Sequence, residues 1–245
     1  MKTRLIISIL AIVAPALWLK KTYGAASGKE LDWILAPTAA LINMVSDLHF
    51  VRESGLGWID ATHNAVIAPS CAGINFLIVA FCAVGLRGVW GFRSPIAQLG
   101  WIAAALPAVF AATLMVNTLR IRLLIELHHL DIYGTRFTAE LAHLIGGVVI
   151  YYGSLLCLFW WVSVILKRRA PVANATGWAP PPWAWWLVPP AGYLLITLGA
   201  PLVTGNFLSD VAAFTRHATT VVLLSGALSL PGLVVTLIPR SIKGS

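Results

Sequence analysis

Repeated apolar runs of about membrane-crossing length limit this chain to very few architectures. Crossing a bilayer as a helix takes roughly 20 apolar residues. In lipid only a helix or a closed barrel satisfies the backbone polar groups. Runs over residues 5–19, 31–45, 65–86, 96–119, 141–166, 187–203 and 218–238 meet that need or come near it. The chain is 59% hydrophobic and 11% charged, which leaves no stretch long and polar enough for a second folded unit. The expectation is an all-α fold: one polytopic helical membrane bundle over residues 1–245, with about seven to eight transmembrane helices. Residues 5–19 follow Lys2 and Arg4 and contain Ala14-Pro15-Ala16, a pattern that resembles a signal peptide. Lys20 and Lys21 come at once, however, and the run reads as an uncleaved first helix.

A net charge of +8 suggests nucleic acid in a soluble protein, but here the basic residues are scattered between spans and read as topology signals. Arg87 and Arg93 put the end of the third span inside the cell. Lys167-Arg168-Arg169 does the same for the fifth span, and Arg240 with Lys243 for the last. Cys71, at the other end of the third span, then lies at the outer face. Arg120 ends the fourth span and His143 begins the fifth, so both lie there too. Residues 49–64 read as a mixed loop, and residues 171–186 as a Pro- and Trp-rich linker suited to an interface. The first two spans stay open. Seven crossings would put the N-terminus outside, whereas a half-inserted segment within residues 31–64 would put it inside.

Cys71 opens the apolar run of the third span within Pro69-Ser70-Cys71-Ala72-Gly73-Ile74. A thiol at a water-accessible helix end can ionise and attack a carbonyl carbon, which one buried mid-span does not readily do. His143 could take the thiol proton or protonate a leaving amine. Arg120 stays charged and offers a fork of donors to an oxyanion. Each residue also has an ordinary reading. Cys71 could be a small packing residue, Arg120 a snorkelling anchor and His143 a helix-start residue. Cys82 and Cys157 read as core.

The remaining outer polar residues support weaker readings. His49, His63, His128 and His129 with Asp131 or Glu140 could bind a metal, but no HExxH or i, i+4 histidine pair supports that. Asp210, Arg216 and His217 could join the site or belong to a loop. Nothing calls for a cofactor. A transporter would use Arg120, Glu126, Asp131 and His143 to line a path, although no charge lies mid-span. A non-catalytic subunit of an export or assembly system would use the outer polar residues for docking.

Pro69-Ser70-Cys71-Ala72-Gly73-Ile74, then Asn117-Thr118-Leu119-Arg120, then His143 followed by Gly146 or Gly147, resembles the Cys, Arg and His signature of exosortases and archaeosortases. The likeness covers about residues 60–155, and the short chain is most similar to the compact members, exosortase K among them. The resemblance implies a membrane cysteine protease or transpeptidase in the bacterial inner membrane, with its site on the periplasmic side. Its substrates would be exported proteins bearing a C-terminal tail of motif, helix and basic cluster. Cys71 would hold the acyl group as a thioester until an acceptor released it. Arg120 and His143 would inherit the oxyanion and acid–base roles. Arg122 also follows the motif, but the spacing from Asn117 favours Arg120.

Overall fold

A computed structural model describes residues 2–23, 26, 28–53, 57–92, 94–128, 130, 133–134, 137–169 and 182–237. Helices α1 (Lys2–Tyr23) and α2 (Asp32–Val45) come first. Three short strands follow, β1 (Val51–Glu53), β2 (Gly57–Asp60) and β3 (Ala65–Ile67), and then a 3₁₀ turn, Pro69–Cys71. The bundle continues with α3 (Ile74–Val89), α4 (Pro95–His128), α5 (Ala139–Arg169) and the short α6 (Pro182–Trp185). Next come α7 (Val188–Leu194), a π turn (Leu195–Gly199) and α8 (Ala200–Thr204), which run on as one apolar rod. A 3₁₀ turn, Asn206–Ser209, leads to α9 (Val211–Leu237). The expected linker at 171–186 lies outside the described residues up to 181, as do Arg93, Arg240 and Lys243.

Helix α3 is the centre of the bundle and packs against α1, α4, α5 and α7. Two-thirds of its span is buried (67%), against 11% for α9. Small residues let neighbours close on it. A Cβ on Gly88 would fall 1.9 Å from Trp101 Nε1, and the indole instead donates to the Val84 carbonyl at 3.0 Å. The outer helices expose Met44, Ile96, Leu195, Val203 and Leu223. An apolar coat of this kind suits lipid contact. Five helices are long and apolar enough to cross a membrane: α1, α4, α5, α9 and the segment Pro69–Val89.

Contacts fix which helix ends share a side. Lys20, near the end of α1, donates to Asn75 at the start of α3, at 2.8 Å. Ser8 donates to Gln98 near the start of α4, at 2.9 Å. Helix α1 is therefore antiparallel to α3, and its first turn lies on the Arg87 side. Arg87 in turn donates to Ser163 near the end of α5, at 3.2 Å. Both ends of α2 are tied to the opposite side. Trp58 Nε1 donates to Asp32, and Arg122 donates to the Val45 carbonyl, each within hydrogen-bond distance. At 14 residues, about 21 Å long at 1.5 Å per residue, α2 is shorter than the five helices of membrane-crossing length.

Three expectations need correction. The loop at 49–64 contains β1 and β2 of an antiparallel sheet of order β1-β2-β3, with Val51 opposite Ile59 and Ile59 opposite Val66. The helical bundle stands as expected, and this small sheet is an addition to it. Residues 65–67, expected at the head of the third span, are β3, and the helix starts only at Ile74. Strands of three or four residues carry too little alternation to stand out beside long apolar runs. Cys157, read as core, is exposed on α5, while Cys82 packs partly buried against the core.

Candidate active site

The local sequence sets Cys71 off from the helix behind it. Pro69 opens a 3₁₀ turn whose N–H groups at Cys71 and Ala72 bond back to Ala68 and Pro69. Gly73 follows at φ 73°, a left-handed conformation that glycine adopts without penalty. The chain is thereby re-aimed before α3 begins. The thiol sits on a separate turn rather than in the first helical turn.

Helix α4 presents Thr113, Asn117, Arg120 and Leu124 at helical spacing, and α5 presents His143, Gly147 and Tyr151 at i, i+4 and i+8. The two stripes meet beneath the Cys71 turn. Asn117, fully buried, donates Nδ2 to the Cys71 carbonyl at 2.6 Å and accepts from the Tyr151 hydroxyl at 2.7 Å. Arg120 donates to that same hydroxyl at 3.2 Å, and its guanidinium lies 4.9 Å from the Tyr151 ring centroid. Its other terminal nitrogen meets His143 Nε2 at 3.1 Å. Arginine only donates, so Nε2 accepts, and this imidazole is neutral with its proton on Nδ1. Gly147 opens the space beside Arg120 Nε.

Arg120 is only 8% exposed. Among the described residues no carboxylate pairs with it, and its Nε has no hydrogen-bond partner. Cys71 lines the same cavity as Arg120. A buried cation among neutral groups is costly unless some anion arrives to meet it.

Cys71, Arg120 and His143 line one cavity of about 210 Å³. It is partly covered by His63 and Asn64 of the β2–β3 turn and by Ala65 and Val66 of β3, and bounded on the α4 side by Leu124, His128 and Tyr133. Arg122 points away to cap α2. Glu126, His49 and Glu140 do not line the cavity, and His129, Asp131 and Arg136 lie outside the described residues. Among the described residues no three His, Cys, Asp or Glu side chains group as metal ligands. Asp210 caps α9 by accepting from the Ala213 N–H at 2.8 Å, and Arg216 and His217 lie in that helix.

Residue reasoning missed Tyr151, Asp60 and the contact role of Asn117. The i, i+4, i+8 stripe from His143 through Gly147 was the available signal for Tyr151. No protein-family model, curated protein or solved structure matches the chain.

Proposed function

We propose that the chain is a membrane-embedded cysteine protease or transpeptidase that cleaves the C-terminal sorting tail of exported proteins through a thioester on Cys71. The observation that carries this reading is the buried Arg120 guanidinium, unmatched by a carboxylate among the described residues, beside a thiol and bonded to an imidazole. Such a group is suited to meet negative charge that exists only during reaction, on a thiolate or a tetrahedral oxyanion.

The geometry suggests an order of events. At rest Arg120 occupies His143 Nε2, the nitrogen that would take the thiol proton. A substrate carbonyl in the cavity draws the guanidinium to its oxygen and frees that nitrogen. His143 then accepts the Cys71 proton, sulfur attacks the carbonyl carbon, and His143 returns the proton to the leaving amine as the C–N bond breaks. The acyl group stays on sulfur, and an acceptor removes it.

On this reading the Arg87 side is cytoplasmic. The Val188–Thr204 rod also crosses, bringing the crossings to six rather than seven or eight, with both chain ends inside. The cavity then faces the periplasm of a bacterial inner membrane, at the depth where a substrate's own helix emerges.

The test is processing of a tailed substrate in cells, read by gel mobility. Cys71→Ala, Arg120→Ala and His143→Ala are expected to leave the tail uncut at normal membrane levels. Cys82→Ala and Cys157→Ala are expected to cut it. Processing by Cys71→Ala overturns the assignment.

A further inference from the structure

The turn between β2 and β3 carries a second imidazole into the Cys71 cavity. His63 lines that cavity as His143 does, together with Asn64 of the same turn. Its setting is built from the sequence Asp60-Ala61-Thr62-His63-Asn64. Asp60 is 1% exposed, and each of its carboxylate oxygens accepts two hydrogen bonds. One takes the N–H groups of Thr62 at 2.9 Å and His63 at 3.1 Å. The other takes the His49 N–H at 2.6 Å and the His63 ring Nδ1 at 3.2 Å. Asn64 supports the turn at φ 51°, a left-handed conformation that asparagine tolerates better than most residues.

This arrangement fixes the chemistry of the ring. A carboxylate that accepts three backbone donors is held ionised, so Nδ1 is the nitrogen that donates to it. Nε2 is then the basic nitrogen of His63. In catalytic triads the same carboxylate–imidazole pairing orients a general base and stabilises its protonated form. His143 is held differently, with its Nε2 accepting from Arg120. The cavity therefore holds two imidazoles in different settings, one tied to a guanidinium and one to a carboxylate.

We propose that His63, oriented by Asp60, is the general base for the second half of the reaction, the transfer of the acyl group from Cys71 to an acceptor bearing an N–H or O–H. This rests on Cys71 being the nucleophile. The acceptor's heteroatom attacks the thioester carbon while its proton passes to His63 Nε2. The tetrahedral intermediate collapses, the C–S bond breaks, and the electron pair leaves on the Cys71 sulfur beside Arg120. His63 then returns its proton to that thiolate, and both groups are restored. The acceptor class follows from the pairing: a neutral amine, a hydroxyl or water, whose attack is weak until a base removes the proton. Asp60 acts through His63 and is a positioning residue.

The experiment separates the two halves with a substrate that bypasses the natural tail. The purified full-length chain, in detergent and carrying Cys82→Ala and Cys157→Ala, is acylated with para-nitrophenyl butyrate. Nitrophenolate release reports acylation. After excess ester is removed, loss of the butyryl adduct is followed by intact mass. His63→Gln and Asp60→Asn are expected to acquire the adduct as the parent does and to lose it at least about tenfold more slowly, since a positioned base contributes roughly 10²–10⁴-fold. Added hydroxylamine, which attacks thioesters without a base, should discharge all three at similar rates. A purely structural role for His63 would not give that rescue. Adduct decay in His63→Gln within twofold of the parent overturns the proposal. So does failure of both variants to acylate while they remain monodisperse. Uptake of the adduct by Cys71→Ala at the parent's rate marks a different failure, that of the nucleophile assignment.

Discussion

Replacing Gly73 with alanine tests how the Cys71 turn is held against α4 and α5. Two costs add. The residue sits at φ 73°, where a Cβ meets the following carbonyl, at about 1–2 kcal/mol. The new methyl would also lie 3.3 Å from Thr113 Cγ2, 3.3 Å from the Tyr151 hydroxyl and 3.5 Å from Asn117 Cγ. None of the three yields easily. Thr113 and Asn117 are fully buried, and the Tyr151 hydroxyl is tied to Asn117 and Arg120. Mild overpacking of this kind costs about 1 kcal/mol or more. The sum is about 2–3 kcal/mol. For a chain of this size that is a fall in melting temperature of roughly 4–12 °C. The same shift pushes the Cys71 carbonyl off Asn117, so processing should fall further than stability alone explains. Thermal unfolding in detergent is the assay, with Gly153→Ala as the contrast. A Cβ on Gly153 meets nothing within 4 Å, and mid-helix it should be neutral or stabilising by up to about 1 kcal/mol. If Gly73→Ala melts at or above the parent, the tight-turn argument is wrong.

Two further outcomes are expected. Tyr151→Phe keeps the ring stacked on Phe76 but removes the acceptor of Arg120 and the donor to buried Asn117, at about 1–3 kcal/mol. Processing should drop at least about tenfold while Tyr152→Phe, which faces Ser229 of α9, keeps it; equal processing by Tyr151→Phe and the parent would remove Tyr151 from the site. The second outcome concerns pH. Burial pushes the Asp60 carboxyl up, but the His49 and His63 N–H groups, the His63 ring and the Thr62 N–H outweigh it and hold its pKa below the usual carboxylate range. The folded value is depressed, so the stabilisation is present above about pH 4, the unfolded value. It is lost as pH falls through the folded value. The melting-temperature gap between the parent and Asp60→Asn should therefore be constant from about pH 7 to 5 and close below about 4; a gap unchanged at acid pH would refute this.

The long helices were legible because lipid enforces them. Apolar runs at 96–119 and 141–166 could fold in no other way, and α4 and α5 contain both. The ends were less legible. α4 continues to His128, past the expected stop at Leu119, because polar residues at helical spacing extend a helix into water as readily as a loop. Arg120 could be chosen over Arg122 from spacing, and the structure brings Arg120 to the cavity and sends Arg122 to α2. Residues two apart on a helix face different ways, so only one could serve. The β2–β3 turn was not legible. Asp60 and His63 are close in sequence, but their role depends on strand pairing that three-residue strands barely announce.

Those observations bear on why a bundle of helices carries a sheet at all. Helix ends supply Arg120 and His143 at fixed depth, but a helix aims side chains only at its own spacing and cannot reach over a neighbour. The β2–β3 turn can. It brings a carboxylate, an imidazole and part of the cavity wall to the face that the helices leave open. Trp58 and Arg52 anchor the sheet to Asp32 of α2. Helix α2 is thus the support for the roof of the site. Shortening α2 or breaking Asp32 should therefore disturb the cavity before it disturbs the bundle, since α3, α4 and α5 pack on one another without either.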